Sequence, residues 1–177
     1  MTLIMKTALV ILMLALAAQA SAETAPDWTL AKADGTTIQL ATAADERTTV
    51  LFFWATWCPY CKALMPHLQS IKLEFGDDVQ ILAINIKDDG DPVGFIDKAG
   101  YDFELLLEGD EVAAAYGIHG TPGLMLLDGG RTVHFDLRTL PRREIPPGQS
   151  KGHTSKAAYR APYWSAALRQ ALDKLRD

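Results

Sequence analysis

The stretch Thr49-Val50-Leu51-Phe52-Phe53-Trp54 carries no charge and no turn former. A strand with one face in water alternates apolar and polar residues, whereas an unbroken apolar run suits a strand covered on both faces. That requirement points to a sheet with packed layers above and below it. From Pro59 to Phe75 the pattern changes to helical spacing, with Leu64, Leu68, Ile71 and Phe75 on one stripe. Pro59 fits a first helical turn, where its missing N–H is no loss. Pro66 sits inside the helix and is expected to kink it, and Gly76 to end it.

The same alternation continues. Val79 to Ile86 reads as a second buried strand, Pro92 to Lys98 as a short helix, Phe103 to Leu107 as a third strand, and Glu111 to Tyr116 as a helix. Gly123 to Leu127 and Thr132 to Leu137 flank Asp128-Gly129-Gly130 as one hairpin. Trp28 to Leu30 and Thr37 to Leu40 flank Asp34-Gly35 as another. A Pro- and Arg-rich loop is expected over 139–162. A last helix then follows, with Trp164, Leu168, Leu172 and Leu175 at helical spacing. The pattern predicts an α/β fold, a central mixed sheet with helices on both faces and an N-terminal β-hairpin extension.

Thr7 to Ala18 is an apolar run preceded by Lys6 and followed by the small-x-small site Ala20-Ser21-Ala22. These are the parts of a secretory signal peptide over 1–22, with an uncleaved anchor as the alternative. The run is shorter than the ~20 apolar residues of a membrane span, and no Cys ends it that could carry a lipid. Residues 23–177 then form one domain of about 155 residues with its own core. No linker or internal repeat divides it.

Charge is uneven along the chain. Residues 23–130 hold 6 basic and 18 acidic side chains, and residues 131–177 hold 10 basic and 4 acidic. The basic tail faces either an acidic partner, a membrane surface or the acidic body of its own chain. Nucleic acid is not expected as a partner.

Both cysteines, Cys58 and Cys61, lie in one Cys-Pro-Tyr-Cys segment. So short a loop constrains little of the unfolded chain, so stapling explains it poorly; redox exchange and metal remain. A Cys at a helix N-terminus meets unsatisfied backbone N–H groups and the positive end of the helix dipole, which favour thiolate over thiol. Cys58 is expected to be the exposed nucleophile and Cys61, one turn in, the buried resolving thiol, with exchange passing through a mixed disulfide on Cys58.

The segment Phe53-Trp-Ala-Thr-Trp-Cys-Pro-Tyr-Cys61, with Pro66 beyond it, resembles the active-site segment of the thioredoxin superfamily. Tyr116-Gly-Ile-His-Gly-Thr-Pro-Gly123 resembles the superfamily's second signature, a loop carrying a cis-proline opposite the disulfide. The likeness covers roughly 27–137, and the N-terminal hairpin and the insertion after the first helical unit are similar to periplasmic TlpA/ResA-like reductases. The resemblance implies a cis Thr121-Pro122 bond, a neighbouring backbone free to pair with an extended substrate, and a proline that keeps metal from the cysteines. Trp57, Pro59, Tyr60, Thr121 and Pro122 are its substrate-binding residues, and the redox-active Cys58–Cys61 disulfide works without a cofactor.

The departures are specific. Phe52 stands where thioredoxin carries a buried Asp, and Gly123 replaces the side chain common after the cis-proline. Asp88 matches the place of an acidic residue near the disulfide in ResA-like proteins; it is either a proton acceptor or a solvated loop acid beside Asp89 and Asp91. Pro59-Tyr60 is a spacer familiar from glutaredoxins, but Trp54 and Trp57 favour the thioredoxin side. His119 either tunes the thiolate or is solvated. Met65 and His67 suggest copper, against core packing and surface for the two. Arg138, Arg142, Arg143 and Lys151 mark either a solvated loop or a docking surface.

The expected function is a periplasmic oxidoreductase that reduces protein disulfides. Its partners would be protein thiols and disulfides, with a membrane or periplasmic electron donor. The resemblance adds cytochrome c or copper-site apoproteins as substrates. The rivals are an oxidase or isomerase of the DsbA or DsbC kind, a copper-binding chaperone and a redox-inactive interaction domain.

Overall fold

The computed structural model describes residues 24–45, 47–147 and 152–176; the expected signal peptide lies outside them. Strand β3 (Thr48–Trp54) stands in the middle of a five-stranded sheet of order β5-β4-β3-β6-β7. It runs parallel to β4 (Val79–Asn85) and antiparallel to β6 (Gly123–Leu127). Beyond them lie β5 (Glu104–Leu106), parallel to β4, and β7 (Val133–Asp136), antiparallel to β6. The sheet is therefore mixed.

The uninterrupted apolar run of β3 has the cause inferred for it. Val50, Phe52 and Trp54 join a core with Leu64, Leu68 and Ile71 of helix α2 (Pro59–Phe75) and with Leu168 and Leu172 of helix α5 (Gly152–Arg176). The alternate residues Leu51 and Phe53 join a second core with Leu40 of helix α1 (Leu40–Ala43), and with Val112 and Ala113 of helix α4 (Asp110–Ala115). Helix α3 (Pro92–Ala99) adds Ile96 to the first core. Side chains on alternate strand positions thus serve opposite faces.

A separate hairpin, β1 (Thr29–Ala31) and β2 (Thr37–Gln39), guards one edge of the sheet. Lys32 forms a bridge to Leu106, the Leu107 amide donates to the Ala31 carbonyl at 2.9 Å, and the Lys32 ammonium pairs with Glu104 at 3.0 Å. At the other edge Thr24 bridges Thr132. Covered edges cannot pair with stray strands.

The C-terminal helix departs from expectation. The loop predicted over 139–162 ends earlier, because α5 begins at Gly152 and runs through Pro162. Proline removes one backbone donor but does not end a helix that is packed along its length. Ala157, Ala161, Ser165, Leu168 and Leu172 are the buried stripe, so small residues carry the predicted apolar face back across Pro162. Leu168→Ala is expected to destabilise the protein by about 2–5 kcal/mol in urea unfolding with an unchanged m-value. A loss below about 1 kcal/mol would mean that α5 does not close this core.

Candidate functional site: the disulfide turn and its clamps

Strand β3 delivers the chain to Ala55, whose carbonyl accepts from the Cys58 amide at 3.1 Å. Cys58 is the N-cap of α2 in extended backbone conformation, and Pro59 takes the first helical position. Cys58 and Cys61 form a disulfide with Cα atoms 5.3 Å apart. The Cys61 amide donates to Cys58 Sγ at 3.1 Å, so an otherwise unsatisfied N–H of the first turn points at this sulfur.

Cys58 is not exposed as expected: it is 1% accessible against 0% for Cys61. In the disulfide its sulfur turns inward to Cys61 and sits in the core cluster with Trp54 and Ala55. Trp57 is the open residue of the turn, 58% accessible. Its indole N–H donates to the Lys87 carbonyl at 2.7 Å.

That bond belongs to a wider set made by the loop after β4. The Asp88 carboxylate accepts from the Thr56 amide at 2.6 Å, the Thr56 hydroxyl at 2.6 Å, the Asn85 side chain at 2.8 Å and the Gly90 amide at 3.0 Å. Burial raises its pKa, yet the hydrogen bonds from Thr56, Asn85 and Gly90 prevail and hold it below the ordinary aspartate value of 3.8. A Cβ on Gly90 would collide with the Thr56 hydroxyl, so the loop approaches this closely only through glycine. Lys87, at φ 51°, donates its amide to Asp110 at 3.2 Å and its ammonium to the His119 carbonyl at 3.1 Å. One loop thus holds both the cysteine turn and the turn that leads to Pro122.

The Thr121–Pro122 peptide is cis. Thr121 Oγ1 is buried and has no hydrogen-bond partner among the described residues. The side chain missing at Gly123 is explained by packing: a Cβ there would lie 2.9 Å from two Ile118 carbons. His119 is exposed and contributes its carbonyl to the Lys87 link.

Phe52 is fully buried in the first core. Asp88 is therefore the carboxylate brought to the cysteine turn, and it touches Thr56 rather than a sulfur. Met65 is fully buried in the same core. His67 lies half-buried near Arg169, and burial first, then that guanidinium, lower its pKa. Among the described residues no group of three or more His, Cys, Asp and Glu side chains is placed to hold a metal ion.

Tyr60 reaches away from the strand ends to α5. Its hydroxyl lies 3.5 Å from His153 Nδ1, its ring is 6.1 Å from that of Trp164, and the Arg160 guanidinium sits over it at 5.9 Å. These partners, like Thr56 and Lys87, were not singled out from sequence. Only the position of Thr56, two residues before Cys58, hinted at any of them.

The family model of AhpC/TSA matches residues 22–139. The chain belongs to the AhpC/TSA family. Within it the chain is similar to the thioredoxin-like protein YneN of Bacillus subtilis, 28% identical over 68% of this chain and 74% of that one. It is also similar to the thiol-disulfide oxidoreductase ResA of Geobacillus thermodenitrificans, 30% identical over 72% of this chain and 75% of that one. A crystal structure from Chlorobium tepidum, provisionally named as a thiol:disulfide interchange protein DsbE, shares the fold. Its TM-score is 0.64 at 21% identity, over 85% of this chain and 94% of that one. The fold is thioredoxin-like, and the Cys58–Cys61 disulfide is that of a thiol–disulfide oxidoreductase.

The clamp gives a prediction with a defined sign. A carboxylate whose folded pKa is depressed stabilises the protein above its unfolded pKa, and this is lost as pH falls through the folded value. Asp88→Asn is expected to destabilise the protein by about 1–3 kcal/mol at neutral pH, since an amide cannot replace the charged acceptor. In acid titrations followed by circular dichroism, the variant should also lack a stability component that the native protein loses below pH 3.8. Equal stability at both ends would contradict the clamp.

Proposed function

We propose that this AhpC/TSA-family protein is exported through the signal peptide of 1–22 and reduces protein disulfides in the periplasm through Cys58 and Cys61. The observation that carries this is the Cys61 amide directed at Cys58 Sγ at the start of α2, where it would stabilise a thiolate. Relatives named as thiol–disulfide oxidoreductases support the class of reaction.

In the reduced protein, Cys58 thiolate attacks one sulfur of the substrate disulfide. The substrate S–S bond breaks, one substrate thiolate leaves, and a mixed disulfide forms on Cys58. Cys61 then loses its proton and attacks Cys58 Sγ, releasing the second substrate thiolate. Two electrons have passed to the substrate, whose two thiolates take up the proton lost by Cys61 and any further proton from water, and the protein holds the Cys58–Cys61 disulfide. A dithiol donor on a membrane or periplasmic protein returns it to the reduced form.

The supporting cast follows the geometry. Trp57, held by its indole N–H at an exposed position, gives substrate a platform beside the pair. Pro59 and Tyr60 form the spacer that the substrate passes over. Thr121 offers its backbone beside the cis bond, and Pro122 lines the facing turn. Asp88 takes a positioning part, neither the proton acceptor nor the solvated loop acid that the sequence left open, because four donors already occupy it. Cytochrome c or copper-site apoproteins are the substrate class that the resemblance adds. The opposite, DsbA-like direction differs only in reduction potential.

In an insulin-reduction assay, Cys58→Ala is expected to fall to the uncatalysed rate. Cys61→Ala should accumulate a mixed disulfide on Cys58 that a reductant releases. Undiminished turnover by Cys58→Ala would sink the proposal.

A further inference from the structure

The basic tail of the chain is neutralised on the acidic body only in part. Arg131 pairs with Asp27, Arg138 with Asp136 and Arg169 with Glu74. Among the described residues no carboxylate lies within ion-pairing distance of Arg142, Arg143 or Arg160. These three line one cleft of about 260 Å³ between the chain after β7 and the N-terminal half of α5.

Two of them are held by aromatic rings. The Arg143 guanidinium lies over Tyr159 at 5.1 Å and over Tyr163 at 5.6 Å, and Arg160 lies over Tyr60 at 5.9 Å. Such stacking fixes a guanidinium while leaving its N–H edges free for a carboxylate, which it can take in bidentate form. Tyr163 and Trp164 line the cleft with Leu140, and Trp164 also packs on Tyr60. The cleft therefore shares a wall, Trp164, with Tyr60, one of the two residues between the cysteines. Glu144, in the same loop, is exposed and does not line it.

We infer that this cleft docks an acidic, extended segment of the protein whose thiols or disulfide exchange with Cys58. The inference rests on the proposed redox role and names the chemistry of its partner. Three arginines without a carboxylate partner among the described residues, one of them over Tyr60, would raise the local concentration of an acidic chain, and the aromatic wall would take the side chains between its carboxylates. A membrane surface is the poorer occupant. The large apolar side chains exposed among the described residues are Trp57 and Leu73, which lie outside this concave cleft.

The test uses two synthetic peptides with one shared central sequence and Glu-rich or Gln-rich flanks. Each is made with Ser in place of Cys for binding, and as a disulfide for exchange. Fluorescence anisotropy at low ionic strength should show the Glu-rich Ser peptide binding about tenfold more tightly, the sum of three exposed ion pairs. The preference should fall to within about twofold in Arg142→Gln/Arg143→Gln, two exposed loop positions, with an unchanged circular dichroism spectrum. It should also collapse near 1 M salt, where the screening length is about 3 Å. The exchange rate of the disulfide peptides should follow the same order. Equal binding of the two peptides overturns the inference. So does binding to phosphatidylglycerol vesicles that the double variant loses, without any peptide preference. Hydroxyethyl disulfide, small and uncharged, reports on the cysteines alone; if the reduced native protein fails to exchange with it, the redox role falls while the peptide result still decides the cleft.

Discussion

The backbone leaving β3 must turn from a position where both faces and both neighbouring edges are already occupied. Val50, Phe52 and Trp54 are fixed from one side, Leu51 and Phe53 from the other, and β4 and β6 hold the two edges. The strand end is thereby a rigid platform, and α2 begins within five residues of it. A cysteine placed there meets a helix N-terminus whose position cannot drift. The reactivity of the pair is a property of this junction more than of the four-residue segment itself.

A rigid strand does not alone fix the turn after it. Residues 55–57 would be free to move without the loop that follows β4. Asp88 draws in the Thr56 amide and hydroxyl, the Lys87 carbonyl anchors Trp57, and the Lys87 ammonium reaches the His119 carbonyl. Because Asn85 pairs in register with Trp54, the two strand ends lie together and the clamp spans a short gap. A half-buried charge is stabilised here by four hydrogen bonds, the arrangement in which an ionised carboxylate is tolerated. A carboxylate so saturated is a holder of backbone and a weak base.

Much of this was legible in the residues. The apolar run of β3, the shift to helical spacing at Pro59 and the glycine after Phe75 carry local signals strong enough to define the βα junction. The hairpin at Asp34-Gly35 is equally local, with Gly35 at φ 82°. What escaped sequence depended on packing. Pro162 reads as the end of a loop before the last helix, and the Ala157–Ala161 stripe that starts α5 ahead of it has too little hydrophobic signal to contradict that. The burial of Cys58 follows from which way its sulfur turns, which spacing does not specify. The contact between Tyr60 and His153 joins residues 93 apart in sequence, and the uncompensated arginines are visible only once their possible partners are located. Asp88 was found by analogy, but its saturation by Thr56, Asn85 and Gly90 needed geometry.

The central claim is that the junction of β3 and α2 makes Cys58 a thiolate under working conditions. The direct measurement is a pH titration of the thiolate ultraviolet absorbance of reduced Cys61→Ala, where Cys58 is the only thiol. The account predicts a midpoint well below the free-cysteine value of about 8.5. A midpoint at or above that value would contradict it.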